Sequence, residues 1–64
     1  MAFIKLHGKG IHEGDAIFAN TEQIEYILTG YGGIRFPDGN IFWTKETPDE
    51  ILKLIQGANN DSKN

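Results

Sequence analysis

The chain has 64 residues, enough for one domain at most, and nine acidic side chains against six basic ones leave it mildly acidic. It contains no cysteine, which excludes disulfides and cysteine-ligated zinc and points to a reducing compartment, the cytoplasm of a bacterium or of a phage-infected bacterium. A domain of this size buries only about 60% of its unfolded surface, so its stability must come from the apolar core, from self-association, or from both.

Phe3-Ile4-Lys5-Leu6 reads as a first strand, with Phe3 and Lys5 on one face and Ile4 and Leu6 on the other. The segment from Gly8 to Gly14 carries three glycines in seven residues and reads as a mobile or tightly turning loop. Asp15 to Ala19 is a second strand. Asn20 to Gln23 follows as a turn in which Asn20 caps the amides after it. Ile24 to Thr29 is rich in strong β-formers, Gly30 to Gly33 is a flexible turn, and Ile34-Arg35-Phe36 alternates between faces. Pro37-Asp38-Gly39-Asn40 is the clearest turn signal, since Pro presets φ and Gly supplies a positive one. Ile41 to Lys45 completes that hairpin, and the order of elements predicts an antiparallel meander of four or five strands.

The period then changes. Thr47-Pro48-Asp49-Glu50 is a capping box with proline at the first helical position. Ile51, Leu52, Leu54 and Ile55 fall on one apolar stripe, and Gly57 suits the position just past a helix end. The spacing predicts a helix over Pro48 to Gln56. Nine residues are too few to be helical alone in water, so the stripe must cover a face of the sheet. The expected architecture is α+β: a small antiparallel sheet with one C-terminal helix on one face. The domain is expected over residues 1–57, with a disordered tail over 58–64.

Few residues offer chemistry. His7, His12, Glu13 and Asp15 are the one cluster of potential metal ligands, but their spacing matches no helical pair and no known finger, and an exposed polar loop explains them. Gly8-Lys9-Gly10 lacks the spacing of a phosphate-binding loop. The one serine, Ser62, falls in the expected tail, the threonines have no neighbouring base, and capping accounts for Asp49 and Glu50. No catalytic residue, cofactor or metal ligand is assigned. No apolar run approaches the roughly 20 residues of a membrane span.

Seven aromatic residues in so short a chain are the stronger signal. Alternation places Phe42 on the opposite face from Ile41 and Trp43. With one face of the sheet under the helix, either Phe42 or Trp43 faces outward and marks an interface, unless the sheet curls and buries both. Tyr26, Tyr31, Arg35, Phe42, Trp43 and Lys45 are the expected interaction residues. The reading that follows is a non-enzymatic protein-interaction module, an adaptor or inhibitor, which self-associates; phage-encoded inhibitors of host enzymes share this profile. A single-stranded nucleic-acid binder using the same aromatics with Arg35 and Lys45 is the alternative, disfavoured by the acidic balance and the scattered lysines. A metal- or ligand-binding loop at His7 and His12 is a third.

Asn20, Ile24-Glu25, Ile27, Ile34, Gly39, Glu46 and the Glu50-Ile51 helix start resemble the FlbD/SwrD family of very small flagellar and swarming-motility proteins, over roughly Ala19 to Ile55. The segment from His7 to Ala19 is longer and richer in glycine than in that family, and Trp43 stands where the family carries a small aliphatic residue. The resemblance implies a β-meander ending in a helix and supplies no catalytic residues.

Overall fold

The computed structural model describes residues 2–61. It is an α+β fold of five antiparallel strands in two small sheets with one C-terminal helix. β1 (Phe3–His7) pairs with β2 (Ala16–Asn20) as a hairpin; β3 (Tyr26–Ile27), β4 (Gly33–Arg35) and β5 (Ile41–Trp43) form a three-stranded meander. The expected single sheet is thus divided. The division begins at Asn20, whose side-chain Oδ1 accepts from the Glu22 amide at 3.0 Å and caps a 3₁₀ turn over Thr21–Gln23. That turn carries the chain away from β2 before β3 starts. The end of β5 instead returns to β1. The Lys9 amide donates to the Trp43 carbonyl (3.0 Å), the Lys45 amide donates to the His7 carbonyl (2.7 Å), and Gly8 bridges Thr44.

β3 is shorter than the expected Ile24 to Thr29 because a turn begins at Leu28. The Leu28 amide donates to the Gly33 carbonyl and the Gly32 amide donates back to Leu28, with Gly32 at φ +81° closing the turn. In the next hairpin, Gly39 at φ +94° follows Pro37 and Asp38 as expected, and the Asp38 carboxylate accepts from the Asn40 amide. The Gly8 to Gly14 loop is the tight alternative of the two expected. It contains a 3₁₀ turn, Gly10–His12, laid over β5. A Cβ on Gly8 would lie 1.9 Å from the His12 carbonyl oxygen, so only glycine permits this closure.

Helix α1 (Pro48–Asp61) opens on the capping box: the Thr47 amide donates to Glu50 Oε1 (2.8 Å), and the Glu50 amide donates to Thr47 Oγ1 (3.2 Å). The helix does not stop at Gln56. Gly57 lies inside it at an ordinary helical φ, and Ala58–Asp61, the start of the expected tail, continue it; residues 62–64, Ser62 included, lie outside the described residues. The stripe is also narrower than expected. Ile51 is fully buried and Ile55 and Ala58 pack beside it, whereas Leu52 and Leu54 are exposed. Spacings of four and three residues keep Ile51, Ile55 and Ala58 in one line toward β1, and Leu52 and Leu54 diverge to either side. The core joins both sheets and the helix through Ile4, Leu6, Ala19, Ile34, Phe42 and Ile51.

Candidate interaction surface

The outer face of the β3–β4–β5 sheet is built by strand alternation. Tyr26, Arg35 and Ile41 stand in one cross-strand row, and Gly33 and Trp43 in the next row on the same side. The intervening row, Ile27, Ile34 and Phe42, points inward. Phe42 is 8% exposed and its ring stacks on His12 with centroids 4.8 Å apart, so it belongs to the core and leaves the expected interaction set. Trp43 is the outward aromatic. Its ring lies over Gly33, where an added Cβ would come within 3.2 Å of Trp43 Cε3; the missing side chain leaves the indole its place.

Two clusters share this face. In the first, the Arg35 guanidinium pairs with the Glu25 carboxylate and lies 5.5 Å from the centre of the Tyr26 ring, so both its charge and its flat side are engaged. In the second, Tyr31 meets Trp43 edge-on with centroids 6.0 Å apart, and Lys9 Nζ donates to the Tyr31 carbonyl at 2.7 Å. Lys9, Gly10, Ile11, Tyr31 and Trp43 line a shallow groove of about 420 Å³. Ile11 is 83% exposed and Tyr31 75%. Neither Ile11 nor Lys9 was in the expected set. The available signal was a lone β-branched apolar residue within a glycine-rich polar loop, where turn chemistry gives it no role. Lys45 is exposed beyond the end of β5, its backbone tied to His7.

The two histidines are employed separately. His7 Nδ1 lies 2.7 Å from Glu46 Oε2, and the His7 amide donates to Glu46 Oε1 at 2.9 Å, so one carboxylate covers the β1 edge where β5 no longer reaches it. Burial alone would push the Glu46 carboxyl up; the hydrogen bonds from the His7 ring and amide outweigh it and hold its pKa below the ordinary value. His12 Nδ1 accepts from the Trp43 amide at 3.2 Å, which places that ring's proton on Nε2. Among the described residues no group of three His, Cys, Asp or Glu side chains comes together to hold a metal.

No described helix is long and apolar enough to cross a membrane. Comparison with protein-family models, with curated proteins and with solved structures finds no match.

Proposed function

We propose that this protein is a non-enzymatic interaction module, an adaptor or inhibitor, whose partner-binding surface is the groove between the Gly10–His12 turn and Trp43. The observation that carries this reading is the pairing of two strongly exposed side chains, Ile11 and Tyr31, with a half-buried indole. Exposed apolar groups clustered around an aromatic anchor are the usual make-up of a protein-binding hot spot. The lining is mostly apolar, and its one ammonium is already bonded to a backbone carbonyl. Such a lining suits insertion of an apolar side chain and offers no group for bond-making chemistry.

A photo-crosslinking residue at Tyr31, used in cells that express the protein, is expected to capture one dominant partner. Reconstituted from purified components, that complex should weaken at least tenfold in I11D, a change on a fully turned-out side chain that leaves the core intact. Equal affinity for wild type and I11D would remove the groove from the interaction.

The single-strand reading keeps one favourable observation, a lysine beside the exposed Tyr31 and the half-buried Trp43. Against it, Arg35 is neutralised by Glu25, and the whole chain is acidic. Titration with oligothymidylate at low salt is expected to leave Trp43 fluorescence unchanged. Quenching that disappears as salt is raised would favour this second reading instead.

A further inference from the structure

Among the described residues β2 has a strand partner on one side only, and its other edge is unguarded. In the β1–β2 ladder the Gly8 amide donates to the Asp15 carbonyl and the Thr21 amide donates to the Ala2 carbonyl, which fixes the hydrogen-bonded pairs of the hairpin. Antiparallel ladders alternate. Ala16, Phe18 and Asn20 therefore turn their amides and carbonyls away from β1, toward an edge that no other described strand occupies. The equivalent edge of β1 is handled differently: Lys45 and the Glu46 carboxylate close it at His7. β2 carries none of the usual guards, having no proline, no lysine, no glycine kink and no charged side chain over Ala16–Asn20. Phe18, at its centre, is 71% exposed.

We infer that this edge pairs with the same edge of a second copy, antiparallel, with the two-fold axis at Phe18. The inference deepens the interaction-module reading in requiring self-association, but uses a surface separate from the groove. Three features favour a second copy as occupant. The outward-turned residues 16, 18 and 20 are spaced symmetrically about Phe18, so Phe18 faces its own mate and Ala16 faces the mate's Asn20. The outward groups of Ala16 and Phe18 and the Asn20 amide then find partners through about six interchain hydrogen bonds, two of them to Asn20 carbonyls that also open the Thr21–Gln23 turn. The charges flanking the strand do not collide: Asp15 falls opposite the mate's Thr21, and Glu22 opposite the mate's Gly14. On the outer face the two Phe18 rings meet at the axis, each backed by Lys5, whose Nζ lies 5.8 Å from the ring centre. The result is one continuous four-stranded sheet with an isologous, closed interface.

Sedimentation of the full chain over a range of concentrations is expected to show a reversible monomer–dimer equilibrium. F18K brings two like charges together at the axis and is expected to weaken dimerisation at least tenfold with Trp43 fluorescence unchanged. The register is tested by single cysteines in this cysteine-free chain. Residues opposed in a hydrogen-bonded pair have Cα atoms about 5.5 Å apart, within the span of a disulfide. In a glutathione redox buffer F18C should therefore cross-link to itself readily, while A16C, facing Asn20 of the mate, and I11C, in the groove, should not. A wild-type monomer at every concentration overturns the inference, as does preferential cross-linking of A16C or I11C. Should F18K fail to fold, the cross-linking pattern decides alone. A wild-type chain that stays monomeric yet binds its partner in an I11D-sensitive way overturns only the edge pairing; a dimeric chain whose partner binding is unchanged by I11D overturns only the groove.

Discussion

Glu46 acts within a space of a few ångströms, yet it closes a strand edge, receives a histidine and accepts a hydrogen bond from the Thr44 hydroxyl at its own carbonyl. Because its folded pKa lies below the ordinary value, its contribution to stability is fully present above the unfolded pKa, about 4.5. It is lost as pH falls through the lower folded value. Urea titrations of wild type and E46Q should therefore differ at neutral pH, where the charged hydrogen bonds are worth about 1–2 kcal/mol; the difference should begin to shrink as pH drops below about 4.5 and vanish only once the pH has passed the lower folded value. Gly8 is the other decisive single residue. G8A forces its methyl against the His12 backbone, and relief requires lifting the Gly10–His12 turn from β5. The His12–Phe42 stack and the bond to the Trp43 amide are then lost together. A destabilisation of about 2–4 kcal/mol is expected, with altered Trp43 emission in the folded protein reporting the detached loop.

Among the elements, the helix divides most sharply into what the sequence reveals and what it conceals. Its start is legible because a capping box is local: Thr47 and Glu50 satisfy each other across three residues, and no distant contact decides it. Its end is not. Gly57 looks like a C-terminal stop, but in the structure Ala58, the very next residue, packs against the core, and that tertiary contact outweighs the low helix propensity of glycine. Leu52 and Leu54 likewise look like core residues until the direction of β1 is known. G57A tests the helix end. Nothing lies within 4 Å of an added Cβ there, so alanine should stabilise the protein by about 0.5–1 kcal/mol in a thermal melt. A glycine serving as a left-handed cap would give the opposite sign. That Phe42 and Trp43 take opposite faces was legible from alternation along Ile41–Trp43, but which of them turns outward was not, since it depends on which face the core takes; the part played by Ile11 was not legible either, since it depends on a loop folding back 31 residues away, where His12 meets Trp43.

For the molecule as a whole, the sheets are two by ladder, but they are tied into one body at a single seam. At that seam His7 to Lys9 run beside Trp43 to Lys45, and Thr44 is completely buried there, its hydroxyl donating to the Glu46 carbonyl at 2.8 Å. The core also crosses it, with Leu6 from one sheet, Ile34 and Phe42 from the other, and Ile51 from the helix. A two-stranded hairpin is at best marginal alone in water, so neither the hairpin nor the short meander has an independent route to stability. Unfolding should therefore be all-or-none. Backbone circular dichroism and Trp43 fluorescence are expected to give superimposable denaturation curves. Native-state exchange of the Lys9 and Lys45 amides, which bridge the sheets, should be as slow as that of the most protected amides within either sheet. T44V retains the shape of the buried side chain but strips the Glu46 carbonyl of its donor, at a cost of about 1–2 kcal/mol. If the seam is what makes the sheets one unit, T44V shifts both denaturation curves by the same amount; curves that separate in T44V would mark the β1–β2 hairpin as a unit able to come away by itself.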